Sequence, residues 1–290
     1  MRYDDRNEDK NLDLPDDTTL PFFAYGIFKP GQLAYSKIKN HVNEHIDNIE
    51  INYEMMIRDG VPILIDRKSD YHQTKGSLIT FKEGRKEKAY GYISETILRK
   101  LYEWQTIEID GKPVNILFGV DPRNGSNYIE DPHERVSFNG KNDPFFHEAI
   151  DIIERNLNSI EFSWDIENFF ELQMNYMLLW SAIDRFSSLK YNEQTKGKNY
   201  KRFSKERAFK HGIKKFRDKR HLPVYSTDTL QLHEFNADDP YETIFYYYTF
   251  RCNVVHRGKA MTGDYHMLET AAKELLEIFK NILKDTFDEP

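Results

Sequence analysis

Residues 241–258 read Tyr-Glu-Thr-Ile-Phe-Tyr-Tyr-Tyr-Thr-Phe-Arg-Cys-Asn-Val-Val-His-Arg-Gly. The aromatic run leads into Arg251, and His256 follows five positions later. This stretch predicts the start of a late helix, with the two side chains roughly a turn and a half apart and able to reach one phosphate. A guanidinium can hold two phosphate oxygens, and an imidazole can move a proton near neutral pH. The pair could cleave RNA without a metal, although an ion pair of Arg251 and a packed His256 are the ordinary structural interpretation.

Two long helices are predicted on either side of this motif. Residues 166–189 carry apolar side chains at three- and four-residue spacing, namely Phe169, Leu172, Tyr176, Leu179, Ile183 and Phe186. Downstream, Gly258 and Gly263 bracket a loop, and a second helix is expected over about 264–287. The C-terminal half is therefore expected to be all-α.

With these helices, the Arg-x4-His pattern resembles the HEPN family of small helical bundles. The family signature is Arg-x4-6-His at the start of the penultimate major helix, often with Asn directly after the Arg. In this chain that position is Cys252, and the nearest amide is Asn253. The resemblance implies an all-α helical bundle over residues 144–290.

The same resemblance implies a homodimer in which Arg251, His256 and Asn253 of two subunits meet in one cleft. His256 would act on the 2′-hydroxyl or the leaving oxygen, and Arg251 would neutralise the phosphorane. The expected product is a 2′,3′-cyclic phosphate, and DNA should survive because it lacks the 2′-hydroxyl. Toxin action, stress response or phage defence is the expected setting, with a neutralising antitoxin or a defence partner as a possible companion.

A basic window lies between the two predicted helices. Residues 196–220 contain eight Lys and four Arg against two acids, although the whole chain has a net charge of −7. Such a window could follow an RNA backbone and stack bases on its interleaved aromatic residues Tyr200, Phe203, Phe209 and Phe216. A solvated surface is the alternative. The predicted RNA-binding cations are Lys210, Lys214, Lys215, Arg217 and Arg257.

Composition narrows the class of protein. A length of 290 residues suggests two domains, and 39% hydrophobic with 31% charged residues is typical of a soluble chain. The only cysteine, Cys252, cannot form an internal disulfide, and no apolar run is long enough to span a membrane, so a cytoplasmic protein is expected. The acidic residues 1–20 predict a disordered or loosely attached arm. No nucleotide-binding loop or metal-ligand spacing occurs, so no cofactor and no metal are expected.

The N-terminal half opens on residues 22–32, which predict a strand followed by a Lys-Pro-Gly turn. Gly26 and Gly31 let the backbone bend and aim its amide groups at an anionic or carbonyl oxygen. A purely structural turn is the alternative. The candidate ligand-binding residues of this loop are Tyr25, Gly26, Ile27, Phe28 and Gly31.

The loop resembles the opening loop of the γ-glutamylcyclotransferase-like (AIG2-like) fold, usually Tyr-Gly-Thr-Leu-x-x-Gly. Residues 61–65 and 75–78 resemble later strands of that family, and 98–105 resembles the short helix before its catalytic carboxylate. The resemblance implies a small mixed β-barrel with one or two helices over residues 21–138. A polar stretch before residue 144 suits the domain boundary.

Residues 101–105 depart from the chemistry of that family. Its enzymes show Leu-Asp-x-x-Glu here, whereas this chain reads Leu-Tyr-Glu-Trp-Gln. Gln105 cannot act as a general base, and Glu103 is the nearest carboxylate. The expected domain keeps a pocket, with Glu103 and Gln105 as further ligand-binding candidates, but has lost the usual reaction.

The sequence therefore predicts an α+β chain in which a cyclotransferase-like β-barrel precedes a HEPN bundle. The leading interpretation is a dimeric, metal-independent endoribonuclease whose first domain senses a ligand or serves a structural role. One alternative is a γ-glutamylamine or peptide cyclotransferase, or an amide-transfer enzyme, with the helices as a dimerisation module. The other is a non-catalytic binding protein.

Overall fold

The computed structural model describes residues 12–58, 61–97, 101–120, 136–159, 165–191, 196–226, 229–257 and 262–287. The chain is of mixed α+β class, as predicted. Its contacts separate into two compact units, Met1–Gly140 and Lys141–Pro290. The first contains a mixed sheet, and the second is mainly helical.

The first unit contains seven strands and two α-helices within its described residues. These are β1 (Phe22–Ala24), α1 (Tyr35–Ile38), β2 (Val42–Ile51), β3 (Tyr53–Arg58), β4 (Val61–Lys68), β5 (Thr74–Phe81), α2 (Lys86–Thr96), β6 (Tyr102–Ile109) and β7 (Lys112–Gly119). A 3-10 turn at Lys39–His41 joins α1 to β2.

Five of the strands form one sheet in the order β2-β5-β1-β7-β6, and β3 pairs with β4 as a separate hairpin. β1 is parallel to β7 and antiparallel to β5. The predicted closed barrel is therefore wrong for the described strands, because β2 and β6 each pair on one side only. Register shifts and a left-handed Asn48 (φ 61°) interrupt β2, and its mostly exposed side chains suit a solvent-facing edge.

The centre of this sheet is apolar on both faces. All three residues of β1 are buried, as expected of a central strand flanked on both sides. Gly76 of β5 permits this packing, since a Cβ there would lie 2.5 Å from Cζ of Phe23 and 2.7 Å from the carbonyl oxygen of Ala24. Helix α2 contributes Tyr90 and Ile93 to the same core.

The expected disordered arm at 1–20 is partly wrong. From residue 12 onward the chain lies along the first unit, while the preceding residues fall outside the described part. The Trp104 Nε1 donates to the carbonyl of Asp13 (2.8 Å), and Asn115 Nδ2 donates to that of Asp17 (2.7 Å). Composition could not reveal this, because the hydrogen bonds that hold the segment use its backbone carbonyls.

The second unit is built of helices with one short hairpin. Its described elements are α3 (Glu148–Ser159), α4 (Ile166–Lys190), α5 (Lys196–Phe203), α6 (Arg207–Lys215), β8 (Val224–Tyr225), β9 (Leu232–His233), α7 (Pro240–Arg257) and α8 (Thr262–Phe287). The two long helices predicted from periodicity are confirmed as α4 and α8, and the six apolar residues singled out in α4 are all buried. No described helix has the length and apolar content that a membrane crossing requires.

Helix α7 begins earlier than the sequence suggested. The Asp239 carboxylate accepts from the backbone N–H groups of Tyr241 and Glu242, and Pro240 occupies the first helical position. The aromatic run thus forms the body of the helix, and Arg251 lies in its second half. The expectation that the motif begins a helix is wrong.

Candidate functional site

Arg251 lies half-buried on α7 beside a group of aromatic rings. Its guanidinium carbon is 5.6 Å from the ring centroid of Tyr248, one turn earlier. The Nε atom is shielded from solvent and has no hydrogen-bond partner. Among the described residues no carboxylate forms an ion pair with Arg251, although the charge of Asp184 acts on the same two tyrosines, Tyr200 and Tyr248, as Arg251 does.

The rings around Arg251 come from three helices. Trp180 of α4, Tyr200 of α5 and Tyr248 of α7 contact one another, with centroids 4.8 to 5.4 Å apart. The Tyr200 hydroxyl donates to Asp184 Oδ1 of α4 at 2.8 Å. Burial and then the Asp184 charge raise the pKa of Tyr200 far above its usual range, while Arg251 acts in the opposite direction. Arg251 is therefore close to a neutral phenol and next to the packed rings of Trp180, Tyr200 and Tyr248, which form an aromatic wall.

His256 lies five residues after Arg251 on the same helix. At 100° and 1.5 Å per residue, the two positions are about 140° apart around the axis and about 7.5 Å apart along it. The backbone of His256 belongs to α7, whereas its side chain lies outside the described residues. One continuous helix therefore does not place the two positions on one face, contrary to the expectation that both side chains of a single chain reach one phosphate.

Asn253 was the candidate helper amide. Its side chain is buried, and Nδ2 donates to the carbonyl of Tyr225 in β8 at 2.8 Å. The amide therefore holds the short hairpin against α7. At two residues' distance it is about 200° around the helix from Arg251. The structure does not bring Asn253 and Arg251 together.

The aromatic residues of the basic window cannot stack bases. Each of the four is at most 2% exposed. Tyr200 and Phe203 belong to α5, Phe209 belongs to α6 and Phe216 directly follows it. Helix α6 packs so closely that a Cβ at Gly212 would be 2.5 Å from Ile278 Cγ1 of α8. The window is a pair of amphipathic helices, whose apolar residues recur at helical spacing because they form core. The stacking prediction is wrong.

The predicted RNA-binding cations fall into three groups. Lys215 pairs with Glu277, and Arg217 pairs with Asp238. Lys210 and Lys214 are exposed one turn apart on α6, and the side chain of Arg257 lies outside the described residues. Acidic neighbours thus reduce the positive potential that the sequence count suggested.

A buried carboxylate in the same unit was not predicted. Glu274 of α8 is 1% exposed and accepts from Tyr247 (2.9 Å), from Nε2 of His221 (3.0 Å) and from Lys219 (3.3 Å). The His221 ring stacks on Phe235 with centroids 3.7 Å apart. Burial and the Glu274 charge raise the pKa of Tyr247 well above its usual range. In sequence, Glu274 resembles any surface acid of a helix, so no local signal identifies it.

Over the described residues 101–105, the predicted helix before a catalytic carboxylate does not form. Residues 98–100 lie outside the described part, and Tyr102 begins strand β6. Glu103 and Gln105 therefore point to the same face of a strand. Gln105 Nε2 donates to Glu103 Oε1 (2.9 Å) and to Asp66 Oδ2 (3.0 Å) at the surface. The amide joins two carboxylates, and nothing in this contact resembles a general base.

The loop that was expected to bind a ligand is packed into the first unit. Tyr25 and Phe28 are buried, and the Tyr25 hydroxyl donates to the carbonyl of Leu117 at 2.8 Å. Gly26 faces Pro62, where a Cβ would be 2.6 Å from Cγ. Gly31 has φ 78°, as a turn with a positive φ requires.

The amide groups of this loop are partly used by the loop itself. The Lys29 N–H donates to the Gly26 carbonyl (2.9 Å), and the Ala34 N–H donates to that of Ile27 (2.9 Å). The Lys29 ammonium donates to Ser137 Oγ at 2.8 Å, and burial lowers its pKa. Two open clefts of about 480 and 520 Å³ occur elsewhere in the unit, and their lining includes no residue of the loop. Within this turn the carbonyls of Gly26 and Ile27 are thus engaged by neighbouring N–H groups.

Arg251 with its aromatic wall is the predicted site residue whose surroundings suit an incoming anion. Within the described part of the chain, no three His, Cys, Asp or Glu side chains lie close enough to hold a metal ion. Comparisons with protein-family models, with curated proteins and with solved structures found no match to this chain.

Proposed function

We propose that this chain is an endoribonuclease of the HEPN type, in which Arg251 and His256 of two copies act on one RNA phosphate without a metal. The helical unit would be the HEPN bundle. The first unit would be a cyclotransferase-like module that senses a ligand or serves a structural role. Toxin action, stress response or phage defence is the proposed setting.

One observation carries this proposal: Arg251 is a half-buried guanidinium with an unpartnered Nε and no ion pair among the described residues. A buried donor without an acceptor costs about 1–3 kcal/mol. A phosphate would supply the missing acceptor and a negative charge in direct contact with the guanidinium. The Tyr248 ring fixes the orientation of the guanidinium, which favours bidentate binding of phosphate oxygens.

The proposed reaction is an internal transfer. The 2′-oxygen attacks the adjacent phosphorus, the bond from phosphorus to the 5′-oxygen breaks, and a 2′,3′-cyclic phosphate and a 5′-hydroxyl result. His256 takes the proton of the 2′-hydroxyl, and an imidazolium returns a proton to the 5′-oxygen. Arg251 stabilises the charge that develops on the phosphorane. A symmetric dimer suits these roles, because one helix presents Arg251 and His256 on different faces.

The test is cleavage of single-stranded RNA by the purified chain in EDTA. His256→Ala should lower the rate by about two to four orders of magnitude, the usual value of positioned acid–base catalysis. Arg251→Lys should also be slow, since an ammonium cannot replace a bidentate fork.

His147→Ala and Arg155→Ala are matched controls, because both residues are exposed in or next to α3 of the same unit. Equal rates for His256→Ala and its control would contradict the proposal. Light scattering should also find a dimer at micromolar concentration, and a fully active monomer would contradict the shared site.

A further inference from the structure

A cluster of cations surrounds His41 in the first unit, away from every site predicted from the sequence. Lys82 and Arg85 lie in the turn before α2, and Lys88 lies in its first turn. All three side chains are exposed. His41 ends the 3-10 turn that precedes β2.

Backbone and ring contacts fix this cluster. The Lys82 N–H donates to the carbonyl of His41 (2.8 Å), and its ammonium donates to that of Asn40 (3.2 Å). The His41 ring lies 5.4 Å from the ring of Tyr92, and Lys88 Nζ lies 5.9 Å from the Tyr92 centroid. The cluster therefore combines positive charges with two half-buried rings.

The three cations of the cluster act on the pKa of the His41 imidazole. Burial lowers the pKa of His41, and Lys88, Arg85 and Lys82 lower it further. Its Nδ1 atom is shielded and has no hydrogen-bond partner. A neutral ring surrounded by cations indicates a local positive potential, which an arriving anion would relieve.

The acids of this segment, residues 82–88, are Glu83 and Glu87, against the four cations Lys82, Arg85, Lys86 and Lys88. Glu83 pairs with Lys86 at 3.2 Å. In the part of the chain that the structure describes, neither Arg85 nor Lys88 forms an ion pair with a carboxylate. Lys215 and Arg217 of the basic window, in contrast, both have acidic partners.

We propose that the surface formed by Lys82, Arg85, Lys88, His41 and Tyr92 binds the phosphate backbone of a single-stranded RNA. The cations attract successive phosphates, and the half-buried rings offer a face to a base. An acidic peptide would use only the charges, so the rings favour a nucleic acid. That the strand is RNA rests on the proposed function, whereas the phosphate-binding surface does not.

The first experiment measures RNA binding without cleavage. The full chain carrying His256→Ala is titrated into a labelled single-stranded RNA at several salt concentrations. Combining Lys82→Ala, Arg85→Ala and Lys88→Ala should weaken binding about tenfold and lower the salt slope by about 2, since each neutralised phosphate of a single strand contributes about 0.7.

Arg67→Ala, Lys68→Ala and Lys112→Ala together form the matched control, because they also remove two lysines and one arginine from exposed positions of the same unit. The control should bind RNA within about twofold of the parent. Equal losses in both variants would mean that net charge alone matters and would overturn the proposal, as would an unchanged salt slope in the cluster variant.

The second experiment follows the His41 ring by NMR, with its signal assigned by comparison with His41→Gln. Bound RNA should raise the pKa of His41, because phosphate charge offsets the three cations, while the NMR signals of the exposed His72 ring should keep their positions at a fixed pH. RNA binding with both signals unmoved would place the RNA elsewhere and refute this surface. RNA bound here but never cut by the parent chain would refute the proposed nuclease and leave this surface standing.

Discussion

Glu274→Gln offers a sharp test of how the helical unit is held together. The substitution keeps the size of the side chain and removes its charge, so that His221 and Lys219 lose their shared partner in a site that is 1% exposed. Removing the charged acceptor of buried donors costs about 1–3 kcal/mol, and more where the donor is charged, whereas exposed pairs contribute about 0–1 kcal/mol. A typical domain has only about 5–15 kcal/mol of stability. Glu274→Gln should therefore remove a large part of it.

The assay is urea unfolding followed by circular dichroism, with the free energy of unfolding taken from the midpoint and slope. Glu277→Gln is the matched control, since Glu277 lies three residues later on α8, is 43% exposed and pairs with Lys215. The control should lose less than about 1 kcal/mol.

A double-mutant cycle with His221→Gln should yield a coupling energy above about 1 kcal/mol, because the two side chains are in direct contact. A loss of less than about 1 kcal/mol for Glu274→Gln, equal to that of its control, would refute the reasoning that this carboxylate is a buried structural charge.

Two other outcomes are expected. Gly76→Ala should destabilise the first unit by about 1–3 kcal/mol in urea unfolding, because the new Cβ would lie 2.7 Å from the carbonyl oxygen of Ala24. The control Gly91→Ala, on the open face of α2, should be neutral or stabilising. Above pH about 10 the chain should lose stability, because buried phenols with a raised pKa stay protonated only in the folded state. Their contribution to stability is complete below the pKa of the unfolded state and is lost as the pH rises from there through the pKa of the folded state. Unfolding that coincides with phenolate absorbance would support this, and unchanged stability from pH 8 to about 11 would contradict it; the tyrosines concerned are Tyr90, Tyr176, Tyr191, Tyr200, Tyr246 and Tyr247.

Periodicity predicted the long helices well because they bury one stripe along most of their length. The same pattern misplaced the start of α7, since an aromatic run suits a strand, a helix or a buried segment equally, and only the Asp-Pro pair at 239–240 marks the helix start. Gln105 was placed on a helix by analogy, whereas its segment alternates as a strand against β7. Both errors occur in segments whose local sequence is compatible with a helix and with a strand, so that tertiary contacts decide which one forms.

The sequence identified Arg251 as a candidate site residue, but it did not predict how the side chains around Arg251 are arranged. Arg251 stood out, but its lack of an ion pair and its aromatic wall depend on α4 and α5, which are distant in sequence. The His41 cluster was missed for the same reason, because a turn near residue 40 and the start of α2 meet only in the folded unit. Charge counts along the sequence favoured the window at 196–220, where folding brings acids to several of the cations.

The position of β1 between β5 and β7 also has a consequence for the folding of this protein. Phe22 must pair with Ile79 on one side and with Asn115 on the other, which closes loops of many tens of residues. Such non-local pairing raises contact order and slows folding. During synthesis the central strand cannot be flanked on both sides until β7 has left the ribosome. The apolar β1 therefore waits longest of any strand in the sheet for its full set of partners. During this interval the nascent chain is most prone to aggregate or to be bound by a chaperone.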